Sequence, residues 1–551
     1  MAGCPLSKIF PLMNADEHDR TLNLKPQTSN LSTRIRSIIG AVPTEYSPDQ
    51  LSALPKTVFL HGVASGDPLT DRVIIWTRVT PTEQSSVAVT WEVSRHRNFR
   101  TLVCSGIARA EAEHDYTVRV DVDSLHPGSR YYYRFNALGE TTPRAQTKTL
   151  PADGAIHLRF AQVSCAKFNA GFFNAYKRIS QRPGLDFLLH LGDYIYEASN
   201  TPPASQTPGA DIGRPFDPLH ECKTLDDYRR RYAQYHLDPD VQAMHCALPI
   251  MAAWDDHEIA DGAWRGGATE HKPERDGPWS ERMAAAAQAR AEWLPVRLNP
   301  ADPGRVHRKV ALGGLADLVI IDTRSLRDEP VGGAAMHHPA RSALGREQRD
   351  WLLSELEHSA AKWRILGNPS ILATVWAPDL PKEIKDDMVK VKLIEGDGNG
   401  PDYDQWDGYP AERAMLLNFL RDQKIHNLVV LSGDIHLAMA LELKQNAQDL
   451  SEAPLAAEFV NPSLTSQNLD EKMGWLPRTG SLEIEKILMR ALPHIRWCDM
   501  DSHGYNVIDV TPERIQVEWW FVDTVLERTS NEWRGAAWKV DAGSPRLTRV
   551  A

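Results

Sequence analysis

The chain has 551 residues, 42% of them hydrophobic and 25% charged, and carries a formal net charge of −11 at pH 7. That length exceeds one ordinary core, so two domains, or one large domain with appendages, are expected. The acidic balance, without a long basic run, excludes a broad phosphate-neutralising face for nucleic acid, and no apolar stretch of about 18 residues offers a membrane span.

The six cysteines, Cys4, Cys104, Cys165, Cys222, Cys246 and Cys498, are scattered and form no CxxC pair. This speaks against a zinc ribbon or a dithiol centre and for a reducing compartment, with a Cys222–Cys246 bridge the alternative in an oxidising one. The opening residues, MAGCPLSKIFPLMNADEHDR, hold no charged segment followed by a sustained apolar one. A signal peptide is not expected, and a cytoplasmic location is.

In chain order, residues 1–55 read as a polar lead segment. From residue 56 to 152 short β-branched and aromatic runs alternate with turn residues: RVIIWTRV, VAVTWEVS, YTVRVDV and RYYYRFNA. Their spacing predicts an Ig- or fibronectin-III-like β-sandwich, and Leu125, Pro127 and Tyr131 are arranged as in the tyrosine corner of such sheets.

After the linker LPADGA the rhythm becomes strand, loop, helix, which predicts an α/β layered domain over residues 153–525. Its strands are HLRFAQVS, LDFLLHLGD, CALPIMAAWDDHE, LADLVIIDTR, WRILGNPSILAT and HNLVVLSGDIHLA, with FFNAYKRISQ and SERMAAAAQARAEWLPVR as helices. GYNVIDV and IQVEWWFVDT read as an antiparallel pair. Loops at 198–220, 262–280 and 376–410 look like insertions over a site. Residues 526–551 form a Trp-bearing tail, for which ordinary packing is expected ahead of a plug over the cleft.

Several strand ends carry unusual side chains: Cys165, Asp193 with Tyr196, Asp255-Asp256-His257-Glu258, Asn368, and Asp434 with His436. Singly, each has a bland explanation as turn residue, cap or core filler. Jointly they do not, because every one follows an apolar strand and can face one sheet edge. Burying that many acids without compensation costs several kcal/mol per group, and bound cations supply the compensation. A thiolate and a phenolate ionise at neutral pH only beside a strongly Lewis-acidic ion, which favours Fe3+ for their half of the site.

The series HGVASGDPLTDRVIIWTRVTP, SC, HLGDYIYE, WDDHE, EWLPVR, DTR, GREQRDWL, DGYPAERAMLLNFL and LSGDIH, in that order, resembles the PhoD-type alkaline phosphatases of the metallophosphoesterase superfamily. The resemblance runs from about residue 58 to 525 and implies two packed β-sheets flanked by helices. It implies a mixed centre of Fe3+ and Ca2+, with Mn2+, Zn2+ and Mg2+ as alternatives at the divalent positions. Cys165 stands where other members have their first Asp. Asp193 matches the bridging carboxylate of the GD motif, and Tyr196 the phenolate found in purple acid phosphatases. Asp256 falls at a metal-binding Asn, and Asp434 and His436 at the two ligand positions of the GHxH motif. Asn368 matches the remaining strand-end ligand, and His257 the catalytic histidine. Pro369 and Asp261 stand where many relatives have Gln and Asn.

The activity so implied is hydrolysis of phosphate mono- or diesters, with a small-molecule ester as partner and a metal-activated water as nucleophile. A hydrolase of phosphonates or phosphotriesters and a non-catalytic binding protein are the alternatives. Asp255 and Glu258 each read equally as an acid that orients His257 or as a surface acid, and Arg324 is expected to pair with Asp322 or Asp328 rather than approach substrate.

Overall fold

The computed structural model describes residues 57–80, 84–200, 212–376, 382–390, 394, 402–449 and 451–550. The lead segment therefore lies outside the described residues, as do parts of the 198–220 and 376–410 loops.

A ten-stranded and a seven-stranded sheet pack face to face. In the larger sheet Leu158–Val163, Leu188–His190 and Ile250–Ala252 run parallel side by side. In the smaller one Ala316–Ile320, Trp363–Asn368, Leu428–Ser432 and Ala456–Val460 do the same. These strands are buried on both faces, which is why they read as near-continuous apolar runs rather than alternating ones. Phe160, Leu189 and Met251 meet Leu318, Ile365, Val429 and Phe459 between the sheets. Their outward neighbours are covered by helices. Ala161, Val163 and Ile250 lie under the helices Asn174–Gln181, Leu225–Leu237, Pro239–Ala247 and Trp279–Trp293. Val319, Leu366 and Val430 lie under Arg346–His358, Pro410–Asp422 and Ser481–Ala491.

The parallel strands of both sheets end toward a common edge. A parallel bridge between Ser164 and Ser463 joins the two sheets there, just beyond the strand ends. Every loop that carries a candidate site residue leaves from this edge.

The N-terminal β-rich region is not a separate bead. A five-stranded sheet containing Ser86–Ser94 and Arg130–Ala137 packs Val87, Val89, Tyr133 and Phe135 against Val63, Val73, Ile75 and Val118. Those partners sit on strands Val63–Gly66, Val73–Arg78 and Thr117–Val122, which belong to the ten-stranded sheet, with Gly66 paired to Ile250 in parallel. The C-terminal tail is likewise built in. Glu532–Asp541 and Ser544–Arg549 extend the other end of that sheet, and Trp538, Val540 and Leu547 enter the inter-sheet core. All described cysteines are free, Cys222 and Cys246 included, and among the described residues no helix is long and apolar enough to cross a membrane.

Because Trp538 fills the core rather than covering a cleft, Trp538→Ala should cost about 3–5 kcal/mol in chemical denaturation. KM for a phosphate ester should stay where it is in the native enzyme.

Candidate metal centre

The loops leaving the parallel strands make abrupt turns. Cys165 (φ 60°), Asp193 (φ 56°), Asp434 (φ 69°) and His436 (φ 58°) all occupy the left-handed region. Each such non-glycine residue costs about 1–3 kcal/mol and persists only where surroundings enforce it. The glycine before each aspartate has a steric reason. A Cβ on Gly192, itself at φ +105°, would lie 2.4 Å from Asp255 Cβ, and one on Gly433 would lie 2.6 Å from Ser164 Oγ. The neighbouring loops thus touch where a side chain would stand.

Glu258 enforces two of these turns at once. Its buried carboxylate accepts from the backbone N–H of Asp193 at 2.9 Å, Tyr194 at 2.5 Å and Asp255 at 2.7 Å. Burial pushes its pKa up to about 7 against the pull of those amides. Glu258 therefore clamps the backbone; it neither orients His257 nor stands at the surface. Asp255 does not orient it either, since its carboxylate takes the Arg324 Nε–H.

Among the His, Cys, Asp and Glu side chains of the described residues, three sets of donor atoms come within 4.8 Å of one another: Cys165, Asp193 and His436; Asp193, Asp256 and His257; and Asp193, Asp255, Asp256 and Asp434. Asp193 belongs to each. Tyr196 joins the first set, because its hydroxyl donates to Asp193 Oδ2 at 2.7 Å and lies 3.4 Å from His436 Nε2. Ser466 Oγ donates to the same phenol oxygen at 2.6 Å. His436 Nδ1 lies 3.0 Å from the carbonyl of Gln467, which as acceptor fixes the tautomer and leaves Nε2 as a donor atom facing the cluster.

The electrostatics call for positive charge. Burial drives the Asp193 carboxyl well above its ordinary range; the His257 charge opposes this, while Asp256, Glu258 and Asp434 add to it. Burial and the Asp193 charge likewise push the Cys165 thiol and the Tyr196 phenol upward. Sulfur, phenol, imidazole and a shared carboxylate on one side, with carboxylates on the other, make a donor set that suits two cations of different hardness.

His257 packs on the Tyr196 ring, with centroids 4.1 Å apart and the planes tilted by 33°. Its Nδ1 lies 2.7 Å from Glu197 Oε2, and its Nε2 faces Asp261 Oδ1 at 3.9 Å. Burial works to lower the imidazole pKa, but Glu197, Asp256 and Asp193 outweigh it and hold the value well above 6.5. Burial works to raise Glu197, yet the His257 charge and hydrogen bond, Arg282 and the Asp261 amide bring it down to about 2. Glu197 is thus the orienting acid. It stands in the HLGDYIYE motif beside the residues singled out, and only the fold shows that it reaches His257.

One further expectation changes. Arg324 pairs with neither Asp322 nor Asp328. Asp322 caps its own turn by accepting the N–H groups of Arg324 and Ser325, and Asp328 pairs with Arg265 at 2.7 Å. The guanidinium of Arg324 instead runs into the acid cluster, 3.1 Å from Asp434 Oδ1, with Asp404 at 2.5 Å. Asn368, at the end of its strand, is held by neighbouring loops. Its carboxamide oxygen accepts from Trp406 Nε1 at 3.1 Å, and its nitrogen donates to the Ser370 carbonyl and to Ser432 Oγ. Asp404, Gln405 and Trp406 come from a loop read only as an insertion. Gln405 donates to Asp434 Oδ2 and accepts from the Ile371 N–H at 2.9 Å.

A helix-covered pair of sheets with a carboxylate-rich donor cluster at the ends of their parallel strands defines a metallophosphoesterase, a metal-dependent hydrolase of phosphoric esters. The model of the PhoD-like phosphatase family matches residues 160–519, and that of the PhoD-like phosphatase N-terminal domain matches residues 46–151. The chain is 33% identical over 519 residues to alkaline phosphatase D of Bacillus subtilis (strain 168), covering 90% of this chain and 82% of that protein. The solved structure of PhoD matches with a TM-score of 0.78 at 32% identity, over 90% of this chain and 92% of that one. The chain belongs to the PhoD-like phosphatase family.

Glu258→Gln replaces one acceptor oxygen of the clamp by an NH2 and strands a buried backbone N–H. It should cost about 1–3 kcal/mol in urea denaturation of the metal-loaded protein.

Proposed function

We propose that the enzyme works with a two-part centre in which Cys165, Tyr196, His436 and Asp193 hold Fe3+, and Asp193, Asp256 and Asp434 hold a divalent ion, Ca2+ in the first instance. The observation that carries this reading is that Asp193 is common to every clustered donor set while sulfur and phenol lie on one side of it only. Asn368, whose carboxamide is taken up by Trp406, Ser370 and Ser432, is better read as a residue that shapes the divalent side than as a ligand.

When bound, the cations polarise the phosphoryl oxygens and lower the pKa of the attacking water. His257, kept cationic by Glu197, holds a proton at Nε2 for the departing alkoxide. Packing on the Tyr196 ring confines the imidazole, and the Glu197 contact at Nδ1 fixes its rotation. The substrates are small phosphate mono- or diesters. The N-terminal β-rich region is read as an Ig-like sandwich, a reading supported by the Tyr131 hydroxyl accepting from the His126 N–H at 2.7 Å, the hydrogen bond of a tyrosine corner.

The test is metal analysis of purified protein alongside turnover of an aryl phosphomonoester, a diester and a phosphonate by the same sample. Tyr196→Phe should remove the phenolate-to-iron absorption band. His257→Ala should lower kcat by about 10²–10⁴ with metal content nearly unchanged. If His257→Ala empties the centre of iron, the role given to that imidazole is wrong; if the phosphonate is turned over and the esters are not, the substrate class is.

A further inference from the structure

Arg324 is fully buried, and its guanidinium is surrounded by acids on three sides. Nε donates to Asp255, Nη1 to Asp404 at 2.5 Å, and Nη2 stands 3.1 Å from Asp434 Oδ1 and 3.7 Å from Asp256 Oδ1. Asp404 is itself gripped from behind, since Arg327 Nη2 donates to its carboxylate at 2.6 Å and Arg327 Nη1 to its carbonyl at 2.7 Å. The loop bearing Asp404 also supplies Gln405, which takes the other oxygen of Asp434. On the opposite side of Asp193, Cys165, Tyr196 and His436 are held by Ser164, Ser466 and Gln467, and their one link to the partners of Arg324 is the contact of Cys165 Sγ with the Asp434 backbone carbonyl at 3.9 Å.

We infer that Arg324 is a positioning residue for the divalent half of the centre alone. It withdraws Asp255 and Asp404 from metal coordination and aims Asp434 at the divalent ion. The inference rests on the two-part reading above and deepens it. Asp255 stands in a clustered acid set, yet one oxygen is committed to the guanidinium, and its backbone N–H is held by Glu258. Asp434 has no comparable tether of opposite charge other than Arg324 among the ion pairs of the described residues. Removing the guanidinium leaves the Asp434 carboxylate held by Gln405 alone and frees Asp255 to compete for the ion. The sulfur and phenol side keeps its own supports. A lysine provides the charge but cannot span Asp255, Asp404 and Asp434 with a planar fork.

The experiment loads the full chain with iron, strips the divalent ion, and titrates Mn2+ alone, read by its EPR signal, while the phenolate-to-iron band is recorded on the same samples. Arg324→Met should weaken Mn2+ binding 10–100-fold and leave the band in place, with Arg324→Lys recovering part of the loss. Asp404→Asn, at a partly exposed position, should move Mn2+ binding in the same direction by a smaller factor. It decides the matter if Arg324→Met does not fold. Unchanged Mn2+ affinity in the folded variants overturns the inference, and so does loss of the iron band together with Mn2+. A wild-type protein that takes up neither ion would instead sink the two-part reading, which separates the two failures.

Discussion

The arrangement depends on how much negative charge is taken out of water around Asp193. Asp255, Asp256, Asp404 and Asp434 crowd the same buried edge, and a carboxylate moved from water into protein interior loses several kcal/mol unless opposite charge stands within a few ångström. Arg324 and Arg327 answer for part of this load. The remainder, centred on Asp193, Asp256 and Asp434, is the load that a bound cation would relieve. The same low-dielectric surroundings that penalise the empty cluster strengthen its hold on an ion.

Holding such a cluster takes rigid backbone, and the chain obtains it from loop-to-loop contact rather than from length of secondary structure. The strands that launch the loops are as short as Leu188–His190 and Ile250–Ala252. What keeps the loops in place is the close approach of Gly192 to Asp255 and of Gly433 to Ser164, the three-amide grip of Glu258, and the Ser164–Ser463 bridge across the seam between the sheets. Four donor residues in left-handed conformations are tolerable only inside that network.

Much of this was legible from residue patterns. Apolar runs closed by GD, DDHE and GDIH announced buried strands with polar tips, and Cys165, Asp193, Tyr196, Asp256, His257, Asp434 and His436 do converge. Long-range pairing was not legible. Glu197 is four residues from Asp193, yet its reach to His257 depends on how the loop after Ile250–Ala252 folds against it. Arg324 has acidic neighbours in sequence, and local proximity suggested Asp322 and Asp328; the strand geometry turns its side chain toward Asp255, Asp404 and Asp434 instead. Asp404 and Gln405 carry no motif at all. The tail, for which ordinary packing was expected ahead of a plug, packs as two strands at one end of the ten-stranded sheet.

The parallel pairing of Gly66 with Ile250 has a consequence for how this protein can be cut and recombined. The strand that leads into Asp255 and His257 has the N-terminal β-rich region as its immediate neighbour, so the two halves share one hydrogen-bonded surface. A chain starting beyond residue 152 would bare Ile250–Ala252 as a raw margin, open to wrong partners and free to fray at the loop that bears the histidine. Grafting a foreign module onto this phosphatase would therefore have to reproduce that one strand edge before anything else.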